Sequence, residues 1–209
     1  MDRLLNKIGS TVRGWMIIPA KVLNSLSSGL IKPNHITLVS LLGHIGVIWA
    51  LWYSRPILAA VLLAFFGLMD SLDGALARLQ KTASLNGMLY DASSDRAKEV
   101  LVYVGLTQYV FVHTNDFIWL PAAVLGGSLV VSYIKAKGEM ALASVKKHDK
   151  QMLNKIFADG IARYEVRMAI VVFGLLGGQI ILSLWLLLVL VGYTALQRII
   201  RISRALNNV

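Results

Sequence analysis

The sequence predicts an all-α integral membrane protein with six transmembrane helices and an N-terminal amphipathic helix in the membrane interface. Three observations predict it. Of the 209 residues, 56% are hydrophobic and only 15% are charged, whereas a soluble domain carries about 25% charged residues. Mean hydropathy is +0.65. The 21 Lys and Arg residues, which give a net charge of +10, fall almost entirely on one side of the membrane in a six-span arrangement. A basic balance can mean nucleic acid, but the sequence has no nucleic-acid module; topology and anionic lipid account for the charge. The chain has no cysteine, which excludes disulfides, thiolate metal sites and cysteine nucleophiles.

Residues 1–32 form an amphipathic juxtamembrane segment. Arg3, Lys7, Arg13 and Lys21 are interleaved with Leu4, Leu5, Ile8, Val12, Trp15, Met16, Ile17 and Ile18, a pattern that suits a helix lying in the interface. The charges are spread along it with no compact apolar core before a cleavage site, so no cleavable signal peptide is expected. Residues 33–209 form the membrane domain. Pro33 starts a new element, with Asn34 as the expected cap of the first span. The spans are expected at 35–54, 57–77, 86–112, 117–140, 165–180 and 182–203. The third is interrupted by Asp91, Asp95, Arg96, Lys98 and Glu99, while Val100 to Val112 is apolar. The fifth is short, and Gly174, Gly177 and Gly178 soften its end.

With both termini cytoplasmic, Lys and Arg gather at the N-terminus, around residues 78–98, between 135 and 167, and at Arg198, Arg201 and Arg204. Only Arg55 of the 21 lies on the opposite side. This asymmetry places a cluster of carboxylates near the cytoplasmic face. The sequence contains no internal repeat and no low-complexity segment.

That cluster is Asp70, Asp73, Asp91 and Asp95. Carboxylates at membrane depth are costly and by default mark a functional site. Asp70 and Asp73 are i,i+3, and Asp91 and Asp95 are i,i+4, so each pair shares one helix face. Two such faces opposed across a cavity make an oxygen-rich cage suited to Mg²⁺ or Mn²⁺ rather than Zn²⁺. Gly74 lies one turn from Asp70, Ala77 one turn beyond Asp73, and Gly87 one turn before Asp91. Small residues there admit either a ligand or a tightly packed neighbouring helix. Arg78 can contact a phosphate through two N–H groups or anchor the span at the membrane surface. Together these residues describe a metal–diphosphate pocket. His35, His44, His113 and His148 show no metal-ligand spacing, and His44 is expected as a packed polar residue.

Residues 70–95 read D-S-L-D-G-A-L-A-R, eight residues, G, three residues, D, three residues, D. This resembles the signature of the CDP-alcohol phosphotransferases, D-x-x-D-G-x-x-A-R-x8-G-x3-D-x3-D, and all eight specified positions match. The six-span plan, the amphipathic N-terminal segment and the Pro33-Asn34-x-x-Thr37 stretch resemble the family as well. The resemblance implies an enzyme of phospholipid synthesis in the cell membrane, with its active site at the cytoplasmic face. In this family an alcohol attacks the β-phosphorus of a CDP-linked lipid and CMP leaves. By matching position, Asp70, Asp73, Asp91 and Asp95 would be metal ligands for Mg²⁺ or Mn²⁺, with two ions expected. Asp95 would also be the general base. Asn34, Thr37, Asp73, Gly74, Ala77, Arg78 and Gly87 would bind the CDP moiety. The resemblance favours a homodimer.

The segment Ser132-Tyr133-Ile134-Lys135-Ala136-Lys137 resembles the S-Y-x-[KR]-A-[KR] stretch of the branch that uses inositol phosphate, the phosphatidylinositol phosphate synthases. The D-A-x-x-D-R form at Asp91–Arg96 is similar to that branch too. The resemblance thus implies CDP-diacylglycerol or CDP-archaeol as donor and inositol phosphate as acceptor, with Lys135, Arg167 and Arg198 binding the acceptor's phosphate. Glycerol 3-phosphate or another alcohol is the alternative acceptor. Lys146, Lys147, His148, Asp149 and Lys150 form a charged run expected to face solvent or lipid headgroups. From another class, a divalent-cation transporter would line its path with intramembrane Asp residues, but Arg78 and the Gly87 spacing have no role in it.

Overall fold

The computed structural model describes Thr11 and residues 14–114, 116–144 and 162–207. Among the described residues there are seven α-helices: α1 (Ile17–Leu26), α2 (Pro33–Trp52), α3 (Pro56–Leu79), α4 (Leu85–Thr114), α5 (Trp119–Ser144), α6 (Tyr164–Leu176) and α7 (Ile180–Asn207). No strand occurs among the described residues.

Prolines set two of the starts. Pro33 and Pro56 stand in the first turn of α2 and α3, where the missing N–H costs nothing and the fixed φ suits a helix. This corrects the expected cap. Asn34 lies inside α2, and Lys32 is the capping residue, its N–H 3.5 Å from His35 Nδ1.

By length and composition, four helices can cross a membrane: α2, α3, α5 over Trp119–Ala141, and α7. They answer four of the six expected spans. Helix α4, with 30 residues, is about 45 Å long at about 1.5 Å per residue, but charges occupy its N-terminal half. Helix α6 has only 13 residues, roughly 20 Å against a hydrocarbon core of roughly 30 Å. The chain breaks after it at Gly177 and Gly178, where Gly178 has φ +65°, and α7 takes over at Ile180. The fifth apolar segment is therefore shorter than the expected 165–180, and the last helix is longer than 182–203.

Helix α2 packs on α3 and α4, α3 on α6, α4 on α5, α5 on α7, and α6 on α7. The main core draws on Leu51, Leu63, Leu106, Leu120, Val171 and Leu184, one from each of these six helices. It leaves large apolar side chains facing outward, among them Trp49, Trp52, Phe65, Leu182, Val189 and Leu196, as a lipid-facing surface requires. Helix α1 lies against α3 over a separate cluster of Ala20, Ile36, Ala75 and Leu76. Gln80 Nε2 ties α1 to the end of α3, donating to Asn24 Oδ1 at 2.8 Å and to Ile31 O at 2.9 Å. Trp15, Ile18, Val22 and Leu26 stay exposed, which agrees with an amphipathic segment. Arg3, Lys7, Arg13 and the run 146–150 lie outside the described residues.

Candidate active site

Helices α2 and α3 run antiparallel and meet rung by rung. Thr37 Oγ1 donates to Asp73 Oδ2 at 2.5 Å. One turn along, Ser40 Oγ lies 2.9 Å from Asp70 Oδ1 and 2.9 Å from Phe66 O, its single proton shared. The i,i+3 hydroxyl pair on α2 thus matches the i,i+3 carboxylate pair on α3, and fixes both carboxylates against a wall.

Helix α4 supplies the opposite wall. Asp91 and Asp95 share its inner face with Lys98, whose side chain is fully buried. Lys98 Nζ donates to Asp70 Oδ1 at 2.5 Å and lies 3.5 Å from Asp95 Oδ1. One residue on, Glu99 is also fully buried. It accepts from Arg167 Nε at 2.7 Å and Nη2 at 2.9 Å, and Arg96 Nη1 lies 3.0 Å from it. This two-pronged pair clamps α6 onto α4.

Two cavities meet at this cluster. The smaller, of about 230 Å³, is lined by Thr37, Asp73, Gly74, Ala77, Arg78, Gly87 and Asp91 among others. All of these but Asp91 are residues expected to bind CDP, six of the seven; Asn34 is exposed and outside the lining. The larger, of about 850 Å³, is lined by Asp91 and Asp95, and by Lys135, Arg167 and Arg198. All three expected acceptor residues therefore face one space. Arg198 Nη1 donates to Val131 O at 2.9 Å, while its Nε has no hydrogen-bond partner. Lys135 is exposed and lies 3.8 Å from Glu139 Oε1. Asp91 and Met88 line both cavities.

The small residues resolve into two kinds. A Cβ built on Gly105 would lie 2.8 Å from Leu51 Cδ1 and 3.3 Å from the Ile48 backbone, so that glycine is needed for packing. A Cβ on Gly74 meets only Arg78 Nη1, at 3.5 Å, and one on Gly87 meets only Ser84 Oγ, at 3.4 Å. Neither contact forbids a side chain. The space beside these glycines opens into the smaller cavity, which favours ligand approach over helix packing.

The donor set suits a hard divalent cation. Asp70 Oδ2 and Asp95 Oδ1 are buried without a hydrogen-bond partner, and such atoms call for a cation. Among the described residues, no three Asp, Glu or His side chains converge tightly enough to hold an ion as they stand. Lys98 lies between Asp70 and Asp95. His44 is buried, with Nδ1 2.8 Å from Ser40 O, a packed polar residue as expected.

Sequence reasoning missed how Ser40, Lys98 and Glu99 are used. Lys98 and Glu99 carried a signal as charges inside an apolar stretch. Ser40 carried one as a hydroxyl three residues beyond Thr37.

The family model described as CDP-alcohol phosphatidyltransferase matches residues 30–195. The chain belongs to this family. It is a transferase of phospholipid synthesis with membrane helices. The archaetidylinositol phosphate synthase of Pyrococcus horikoshii is 28% identical over 204 residues, 98% of this chain and 99% of that protein. The phosphatidylinositol phosphate synthase of Corynebacterium glutamicum is 33% identical over 117 residues, 52% of each chain. Among solved structures, the Mycobacterium tuberculosis phosphatidylinositol phosphate synthase with CDP-DAG bound superposes with a TM-score of 0.74 at 25% identity, covering 90% of this chain and 92% of that one. The same synthase with manganese and citrate gives 0.73 at 25% identity, covering 90% and 88%.

Proposed function

We propose that this chain transfers the phosphatidyl group of CDP-diacylglycerol or CDP-archaeol to a hydroxyl of inositol phosphate and releases CMP. The observation that carries the reading is the meeting of the two cavities at Asp91, with Asp73 and Arg78 on one side and Asp95 and Lys135 on the other. A displacement at phosphorus needs this layout, with donor and acceptor entering from opposite sides of the transferred group.

Thr37, Asp73, Gly74, Ala77, Arg78 and Gly87 hold the CDP moiety, Gly74 and Gly87 by leaving room and Arg78 by pairing with phosphate. Asn34 stands at the mouth of α2 as a weaker contact. Asp70, Asp73, Asp91 and Asp95 would hold Mg²⁺ or Mn²⁺, which would supply positive charge to neutralise the diphosphate and the departing CMP. Asp95 takes the proton from the acceptor hydroxyl as its oxygen bonds to the β-phosphorus. The bond from that phosphorus to the oxygen bridging to CMP breaks, and CMP carries away the electron pair. Lys135, Arg167 and Arg198 bind the acceptor's phosphate. Arg198, whose Nε has no hydrogen-bond partner, and the exposed Lys135 have donors left for a phosphate. The similarity to synthases named for archaetidylinositol and phosphatidylinositol phosphate supports the acceptor.

In this reading α4 and α6 complete six spans, both termini and the site are cytoplasmic, residues 1–32 lie in the interface, residues 33–209 form the catalytic domain, and the chain works as a homodimer. The positive-inside asymmetry supports the orientation. Membership of a transferase family favours this reading over a cation transporter. The test is Asp95→Asn in purified protein: CMP release is expected to vanish while Mn²⁺ still binds. Retained CMP release would remove Asp95 from the role of base.

A further inference from the structure

We propose that Lys98 is a built-in cation of the catalytic centre, occupying the place of one of the two metal ions, so that the site works with a single divalent ion per chain. The inference rests on the metal site of the proposed function and changes its stoichiometry.

Lys98 lies one helical turn from Asp95 on α4, and its side chain is fully buried. A buried ammonium is tolerated only among counter-charges. Those within reach are Asp70 Oδ1, at hydrogen-bond distance, and Asp95 Oδ1, at 3.5 Å. The ammonium therefore bridges one carboxylate from α3 and one from α4, as a shared metal ion would. The four carboxylates divide accordingly. Asp73 and Asp91 line the donor cavity, whereas Asp70 and Asp95 do not. Asp70 is further engaged by Ser40. A divalent ion against Asp73 and Asp91 would face the diphosphate. A second ion between Asp70 and Asp95 would have to sit beside the ammonium, with Asp70 Oδ2 as the carboxylate oxygen left to it, and be repelled by that charge.

The arrangement also gives Lys98 a positioning role. By facing Asp95 Oδ1, it turns the carboxylate so that the other oxygen is left for the acceptor's proton. Lysine suits this place because its ammonium is a compact charge with three donors on a flexible stem.

The experiment is a titration of the purified full-length protein in detergent with Mn²⁺ alone. Bound ion is counted calorimetrically, and free Mn²⁺ is followed by electron paramagnetic resonance. Wild type is expected to bind one Mn²⁺ per chain. Lys98→Met keeps the volume but removes the charge, and is expected to bind two, the first at least about tenfold tighter than in wild type because the repulsion is gone. Lys98→Arg keeps the charge and is expected to bind one. Two ions on wild type would overturn the inference, as would a single ion of unchanged affinity on Lys98→Met. If Lys98→Met does not fold, the wild-type and Lys98→Arg counts decide. No Mn²⁺ on any of the proteins would overturn the metal site itself, and the inference with it.

Discussion

Gly74→Ala separates a ligand-binding glycine from a packing glycine by the sign of its effect on stability. The added Cβ would meet one atom, Arg78 Nη1 at 3.5 Å, which is ordinary van der Waals contact with the end of a mobile side chain. Gly74 lies inside α3, where alanine is favoured over glycine by up to about 1 kcal/mol. With no clash to offset that gain, the variant is expected to be as stable as wild type or to melt roughly 2–4 °C higher. The same methyl group intrudes on a donor cavity of only about 230 Å³, so kcat/KM for the CDP-lipid should fall at least about tenfold, a loss of about 1.4 kcal/mol in transition-state binding. Gly105→Ala is the control. Its Cβ would fall 2.8 Å from Leu51 Cδ1 and 3.3 Å from the Ile48 backbone, an overpacking expected to cost about 1–3 kcal/mol. The assay is thermal unfolding in detergent, paired with CMP-release kinetics at varied CDP-lipid. A lowered melting temperature for Gly74→Ala, or unchanged kinetics, would refute the reasoning.

Three other outcomes are expected. Glu99→Met leaves the Arg167 guanidinium buried without its carboxylate, which should cost about 3–5 kcal/mol; adding Arg167→Met should recover most of it, measured as a double-mutant cycle on unfolding. A double variant no more stable than the single one would place the clamp elsewhere. Lys135→Ala should leave stability within about 0.5 kcal/mol, since its pair with Glu139 is exposed, while KM for the phosphorylated acceptor rises and KM for the CDP-lipid does not; equal shifts in both would take Lys135 out of the acceptor cavity. Thr37→Val removes the donor to Asp73 at nearly constant shape, and Mn²⁺ titration should register weaker binding, by about tenfold for a bond to a charged group; unchanged affinity would make that bond incidental.

What was legible in the sequence was whatever a single helix records about itself. Length and apolarity marked α2, α3, α5 and α7, and one-turn spacing put Asp70 with Asp73 and Asp91 with Asp95. Pro33 marked a helix start, although Asn34 was misplaced because proline begins α2 before it. Facts that belong to pairs of helices were not legible. Thr37 was expected to contact CDP, and the structure adds that it holds Asp73. Arg167 was expected to bind the acceptor's phosphate, and the structure adds that two of its nitrogens meet Glu99, 68 positions away in sequence. Gly74 and Gly105 are the same residue type inside helices, and the wall each one faces sets them apart. Lys98 and Glu99 looked like interruptions of a span; the fold turns one toward the carboxylates and the other toward α6.

The most direct measurement is CMP release by the purified chain in detergent with Mg²⁺, offering CDP-diacylglycerol and CDP-archaeol in turn. Inositol 1-phosphate, glycerol 3-phosphate, free inositol and serine are compared as acceptors. The account predicts release with inositol 1-phosphate alone, and its loss in Asp95→Asn. Release with glycerol 3-phosphate instead would contradict the assigned acceptor. No release from either lipid with any acceptor would contradict the transferase reading of the two joined cavities.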